Sequence, residues 1–174
     1  MSFSQEPLSG EELAHTRHLV AEGACRALLE RYAYAVDWKN WRGLEALFWP
    51  EASFDFGMWQ GDRVGFIPWV TDLESNYSRR LHMLAVPRMA IGASKGTAEA
   101  GNTTVVRGPG EDGAIKDQVI FGRYQFDFEC RAGEWRMSAL RFLLHGMHAL
   151  DATDEGGAPF FADGLEPSHA MFAQ

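Results

Sequence analysis

The second half of the chain contains four strand-like segments that follow one another with only short breaks. The segments run over 81–91, 97–107, 118–130 and 135–144. The breaks between them are rich in glycine, as is typical of β-hairpin turns, and cover 92–96, 108–113 and 131–133. Because strands joined in this way pair with their sequence neighbours, the pattern predicts an antiparallel meander.

The first half of the chain is mainly helical in pattern. Ser9 and Glu12 have the spacing of a capping box, which predicts that a helix begins there. The apolar residues that follow alternate at intervals of four and three, so one amphipathic helix of roughly 25 residues is expected to end near Asp37. The members of this apolar stripe are Ala21, Cys25, Leu28, Tyr32 and Ala35.

Two further helices and one strand are predicted before the meander. A short helix carries Leu44, Leu47 and Phe48 and is expected to end before Pro50. Alternation of apolar residues over 52–56 then predicts a half-buried strand. A third helix is expected to have Pro68 in its first turn and a buried side that consists of Trp69, Val70, Leu73 and Tyr77.

Three helices followed by an antiparallel sheet predict an α+β fold, in which the sheet buries its concave face against the helices. We expect a strongly curved sheet, a cone-shaped half-barrel with an internal pocket. The chain of 174 residues suits one domain, which we assign to 1–150. Residues 151–174 lose periodicity and are predicted to form an irregular tail that covers the domain or a neighbouring subunit.

Composition and charge exclude several classes of partner. The formal charge of −8, with no cluster of lysines and arginines, argues against nucleic acid and anionic membranes. No segment approaches the roughly 18 consecutive apolar residues of a membrane-spanning helix, and the N-terminus lacks the pattern of a signal peptide. Cys25 and Cys130 do not define a disulfide framework, so a reduced, cytoplasmic protein is expected.

Two residues carry the chemistry that the pattern predicts. Asp37 follows the apolar face of the first helix, and His82 stands at the start of a later strand. If both side chains line one cavity, an enzyme that moves a proton without a cofactor is the expected function. Asp37 has an alternative role as a cap of the second helix, accepting amides from Asn40 or Trp41. The alternative for His82 is a core histidine that bonds a backbone carbonyl.

Several segments resemble the SnoaL-like branch of the nuclear-transport-factor-2-like superfamily. The resemblance extends from about Glu12 to about His145 through the order of the elements, the histidine after the third helix and the turn at 133–137. Its N-terminal part consists of 31–37, Trp41, Leu44, 47–48 and 52–54. This superfamily includes dehydratases, dehydrochlorinases, isomerases, polyketide cyclases, dioxygenase small subunits and proteins without catalytic activity.

The most similar functional pattern is that of scytalone dehydratase, bile-acid 7α-dehydratase and hexachlorocyclohexane dehydrochlorinase. The resemblance implies that Asp37 and His82 occupy the positions of the aspartate–histidine pair of these enzymes, and Tyr32 that of an active-site tyrosine. His82 is then the base, Asp37 holds one ring nitrogen, and Tyr32 donates to a carbonyl or leaving group. The further strand carboxylate of the bile-acid enzyme has no counterpart, since 104–107 occupies that region.

Other side chains are predicted to line the pocket. The aromatic candidates, each of which has plain core packing as the alternative, are Tyr34, Phe54, Trp59, Trp69 and Phe121. Arg141 and His145 lie on the same face of the last strand by parity and are expected to bind an anionic group. The alternative for this pair is a surface ion pair and an exposed histidine.

The sequence predicts neither a metal site nor a cofactor. His145 and His148 are three residues apart on a strand, so their rings point to opposite faces. We therefore predict a cofactor-independent lyase of the dehydratase or dehydrohalogenase type, or an isomerase, that acts on a hydrophobic cyclic molecule and assembles as a homodimer or homotrimer. The alternative is a non-catalytic small-molecule binding or scaffolding domain, like the small subunit of a ring-hydroxylating dioxygenase.

Overall fold

The structure, a computed structural model, describes residues 7–152, so almost all of the predicted tail lies outside the described residues. Three helices are present over this range: α1 (Gly10–Asp37), α2 (Trp41–Ala46) and α3 (Arg63–Ser75). The strands are β1 (Phe48–Asp55), β2 (Gln60–Asp62), β3 (Arg79–Leu84), β4 (Arg88–Ile91), β5 (Lys95–Pro109), β6 (Ile115–Arg131) and β7 (Glu134–Asp151). The predicted α+β class is confirmed.

Helix α1 begins with the predicted capping box. The Ser9 side chain accepts from the Glu12 amide, and the Glu12 carboxylate accepts from the Ser9 amide at 2.8 Å. The buried residues of α1 are concentrated in its C-terminal part, from Cys25 to Asp37. This distribution places the end of α1, and with it Asp37, inside the domain.

The sheet has the strand order β2-β1-β7-β6-β5-β3, and β4 pairs with the N-terminal part of β5. Most neighbouring strands are antiparallel, as predicted. The exception is the pair β1 and β7, which is parallel: the chain leaves β1 through α3, and the last strand of the meander then pairs with β1. The pairing of β6 with β7 shifts register at 121/122 and at 127/128. Irregularities of this kind increase local bending, which fits the curvature of the sheet around the helices.

Local boundaries differ from the prediction at both prolines. Pro50 lies within β1 and is exposed. The pairing of β1 with β7 shifts register between Phe48 and Ser53, so the missing N–H of Pro50 costs the strand no ladder hydrogen bond. Pro68 is the sixth residue of α3 rather than part of its first turn, because Asp62 caps the helix by accepting from the Gly65 amide. The single predicted strand over 81–91 is divided into β3 and β4 at 85–87.

The core fills the space between α1, α3 and the concave face of the sheet. Phe66 of α3 stacks on Phe54 of β1 with 4.0 Å between ring centroids, and Phe126 and Met137 close the layer from β6 and β7. Cys25 is fully buried and both cysteines are free thiols. None of the helices over 7–152 is long and apolar enough to cross a membrane.

Candidate active site

A cavity of about 690 Å³ lies between α1, α3 and the concave face of β3, β5, β6 and β7. Its volume is in the range of small-molecule sites. The residues that shape its reactive part are Tyr32, Trp69, Glu74, His82, Thr104, Tyr124 and Arg141, and apolar side chains such as Val36, Val70, Leu73 and Phe142 complete the wall. The predicted internal pocket is therefore present.

His82 lines this cavity, and the Asp37 carboxylate binds the histidine without lining the cavity itself. Nδ1 of His82 lies 2.7 Å from Oδ1 of Asp37, and only 6% of the histidine side chain is exposed. The His82 backbone N–H also donates to the same carboxylate, at 3.0 and 3.1 Å to its two oxygens. The carboxylate thus binds both the strand and the ring of His82. Nε2 is the ring nitrogen left for the cavity.

The alternative role of Asp37 as a helix cap does not occur. Asn40 caps α2 instead, with its side-chain oxygen accepting from the Gly43 amide at 2.9 Å. Asp37 is the last residue of α1, and the chain turns away after it, so the carboxylate is free to reach across to β3.

Tyr32 lines the cavity together with a second tyrosine that the sequence analysis did not identify. The rings of Tyr32 and Tyr124 are 5.4 Å apart in an edge-on arrangement. Burial raises the pKa of both phenols, and the carboxylates of Glu74 and Asp37 raise each pKa further. Both hydroxyls therefore keep their protons at neutral pH and can donate hydrogen bonds.

Two other predicted residues line the cavity. Trp69 packs its ring against Phe56 and stacks on Trp59, with 4.9 Å between the indole centroids. Arg141 has 57% of its side chain exposed and lies 3.4 Å from an Asp55 carboxylate oxygen, so it lies at the mouth of the cavity rather than deep inside it. The ion pair makes this arginine only partly available to an anionic group.

Five predicted residues do not line the cavity. Tyr34 is half exposed on the outer side of α1, and Phe54 is enclosed in the core against Phe66. Trp59 lies behind Trp69, in the next layer. Phe121 lies on the convex face of β6, because its neighbours Ile120 and Tyr124 take the concave one. The fifth residue, His145, is exposed on β7.

His145 lies at a bulge of β7, where it is exposed and does not line the cavity. Phe121 pairs with Gly146 and Gly122 pairs with Leu144, which leaves His145 without a partner in the ladder. An extra residue changes which face the following side chains occupy. Leu144 and Met147 therefore both line the cavity, on either side of His145.

Two buried polar pairs near the cavity were also missed. Glu74 of α3 is bound to Arg80 of β3, with 2.7 Å between Oε2 and Nε. Asn102 donates to the Thr104 hydroxyl at 2.8 Å, and Thr104 lies directly opposite His82 in the ladder. A signal for Glu74 exists in the sequence: it stands four residues after Val70, on the face of α3 that is otherwise apolar.

Within residues 7–152, no group of three or more His, Cys, Asp or Glu side chains has the arrangement of a metal site. The polar groups of the cavity are instead a carboxylate–imidazole pair, two phenols, a carboxylate–guanidinium pair and a hydroxyl. Such a set can hold a base in one orientation and present hydrogen-bond donors to an oxygen or halogen atom.

The chain belongs to the SnoaL-like domain family, whose model matches residues 17–141. The resemblance predicted from the sequence is thereby confirmed at the level of the family. No curated protein sequence matches the chain at a significant level.

Several solved structures share the fold. A hexachlorocyclohexane dehydrochlorinase, LinA type 2, superimposes with a TM-score of 0.70 and is 19% identical, covering 82% of this chain and 99% of its own. The LinA type 3 enzyme of Novosphingobium barchaimii gives 0.71 and 18%, covering 84% and 98%. A scytalone dehydratase-like protein of Novosphingobium aromaticivorans gives 0.69 and 15%, covering 83% and 99%. At 15% to 19% identity, these likenesses show a shared fold.

The geometry predicts one tautomer for His82. Since the Asp37 carboxylate can only accept at Nδ1, the neutral ring is expected to carry its proton there and to leave Nε2 unprotonated. Long-range ¹H–¹⁵N NMR on histidine-labelled protein measures this directly. In Asp37→Asn the tautomer is expected to lose this preference, whereas the exposed His18 signals stay unchanged. An Nε2-protonated ring in the native protein would contradict the prediction.

Proposed function

We propose that the protein is a cofactor-independent lyase that eliminates water or hydrogen halide from a hydrophobic cyclic molecule, with isomerisation by the same proton transfer as the closest variant. The observation that carries the proposal is the 2.7 Å contact between Asp37 and His82, the second of which lines a largely apolar cavity. A histidine held in this way by a carboxylate is suited to act as a general base.

In the proposed reaction, Nε2 of His82 removes a proton from a carbon atom of the substrate. The electron pair of the C–H bond forms the C=C bond as the bond to the leaving group breaks on the neighbouring carbon. A halide departs as the anion, whereas a hydroxide departs as water after it receives a proton. Asp37 stabilises the imidazolium that forms, because its charge faces the other ring nitrogen.

The tyrosine pair is proposed to supply the donor. Tyr32 and Tyr124 are neutral phenols in the cavity wall, and the edge-on contact of their rings fixes the position of each. A donor that is already oriented in a dry cavity stabilises a developing negative charge more than the same donor in water. This extends the role predicted for Tyr32 to a pair of residues.

The apolar part of the wall is proposed to bind the ring system of the substrate. Trp69, Phe56 and Phe142 present aromatic surface to the cavity, and aromatic side chains bind flat apolar molecules well. Arg141 at the mouth is proposed to contact an electronegative substituent when its ion pair with Asp55 opens.

Replacement of the base tests the proposal. With halogenated and hydroxylated cyclic ketones and halogenated cyclohexanes as the screen, His82→Ala is expected to reduce kcat of any turnover by about 10²- to 10⁴-fold. Asp37→Asn is expected to reduce kcat in the same direction, because the ring loses its charged partner. His18→Ala, on the exposed surface of α1, is the matched control and should leave kcat unchanged. Equal turnover in His82→Ala and the control would instead favour a non-catalytic binding or scaffolding domain.

The two tyrosines are expected to act as a unit. Tyr32→Phe and Tyr124→Phe should each lower kcat, because each removes one hydroxyl from the pair, by roughly tenfold or more for a lost donor. The double variant should lose less than the product of the two single effects, because the two rings are in contact and substitutions at residues in contact are seldom independent. Steady-state kinetics of the four proteins measures this, and strictly multiplicative losses would argue against a coupled pair.

We also propose that the protein self-associates and is cytoplasmic. The convex face carries exposed apolar side chains: Leu81 and Met83 of β3, and Phe121 of β6, which lies in the same row as Met83 with Thr103 of β5 between them. Exposed apolar surface of this kind is typical of subunit interfaces. Two free thiols fit a reducing compartment.

The double variant Leu81→Glu with Phe121→Glu tests the association. We expect sedimentation equilibrium to give a dimer or trimer for the native chain and a monomer for the variant, because charges in an apolar interface are costly to bury. Val64→Glu, at an exposed position of α3, is the control. A native monomer would contradict the prediction.

A further inference from the structure

A second buried carboxylate, that of Glu74, lies in the wall of the cavity. Glu74 is the twelfth residue of α3, and only 8% of its side chain is exposed. Its neighbours in the wall are Val70, Leu73 and Val106. A carboxylate in such an apolar setting costs free energy unless other groups compensate its charge.

Arg80 compensates the charge but leaves one carboxylate oxygen unused. Its Nε donates to Oε2 of Glu74 at 2.7 Å, while its Nη2 donates to the backbone carbonyls of Glu74 and Tyr77 at 2.8 and 2.6 Å. The contact is therefore not the two-point arrangement in which arginine commonly binds a carboxylate. No hydrogen bond from the described residues reaches Oε1 of Glu74.

The Arg80 contacts alone account for the joining of α3 to β3. A guanidinium that binds the carbonyls at the C-terminal end of α3 is favourably placed with respect to the helix dipole, and this function needs no carboxylate exposed to the cavity. The orientation of Glu74 toward the cavity is thus the feature that the structural role leaves unexplained.

We propose that Oε1 of Glu74 accepts a hydrogen bond from a neutral hydroxyl group of the substrate. This inference rests on the proposed function, and it adds that the substrate is an alcohol or a phenol, with this hydroxyl bound at the α3 wall while the reacting C–H lies at His82. A neutral donor fits better than an ammonium group, because Arg80 already balances the charge of Glu74. A second cation would lose its hydration without gaining a free counter-ion.

Three matched probes test the proposal: 2-naphthalenemethanol, 2-methylnaphthalene and 2-naphthylmethylamine, which is a cation at pH 7. They share one ring system and differ only in the hydroxyl, methyl or ammonium group. By isothermal titration calorimetry, the native chain is expected to bind the alcohol about tenfold or more tightly than the hydrocarbon, as a hydrogen bond to a charged group provides. The ammonium compound should show no such gain.

The double variant Glu74→Leu with Arg80→Met is expected to lose the preference for the alcohol and to keep its affinity for 2-methylnaphthalene within about threefold. Both charges are removed together because either one alone would be left buried and unpaired. Glu74→Gln, which keeps an acceptor oxygen but loses the charge, should retain a reduced preference. The control is Asp117→Leu with Arg107→Met, an ion pair of β5 and β6 outside the cavity lining, which should keep the full preference.

The inference is overturned if the native chain does not prefer the alcohol over the hydrocarbon, if the ammonium compound binds best, or if the Glu74 double variant keeps the native ratio. Its failure can be separated from failure of the proposed elimination. His82→Ala is expected to lose turnover and yet keep the preference for the alcohol, because Oε1 of Glu74 is unchanged in that variant.

Discussion

The Asp37 carboxylate is the point on which the arrangement of the cavity depends. It accepts hydrogen bonds from both the backbone and the ring of His82, so one side chain fixes the end of α1 against β3 and the orientation of the imidazole. A carboxylate that bound only the backbone N–H or only the ring of His82 would leave the other without this hydrogen bond. Because the same acceptor serves both, the position of the ring follows from the packing of the helix on the sheet.

Much of this could be predicted from the sequence, because local patterns determine it. The capping box of Ser9 and Glu12, the amphipathic stripe of α1 and the glycine-rich turns of the meander each depend on residues close together in the chain. The pairing of Asp37 with His82 needed a different argument, since 45 positions separate them. The resemblance to a family supplied the pairing, and the geometry of the structure supplies its physical reason.

The remaining features depend on tertiary context that single-sequence patterns do not contain. The bulge at His145 shifts the parity of the residues after it, so Met147 lines the cavity as Leu144 does, and this shift is not visible in the sequence pattern. Pro68 marks a helix start by propensity, yet the Asp62 cap starts α3 earlier. Glu74 and Arg80 become visible as a pair only when α3 is packed on β3.

The two buried carboxylates, Asp37 and Glu74, differ in the kind of partner that compensates their charge. Asp37 is paired with a group that can change its protonation state, so its charge becomes most favourable when His82 has taken up a proton. Glu74 is paired with an arginine, which does not change its protonation state, so its charge is compensated at all times. The first arrangement suits a group that responds to proton transfer, and the second suits a fixed acceptor. In the proposed reaction, this difference lets Glu74 hold an uncharged molecule in one orientation while His82, supported by Asp37, moves a proton.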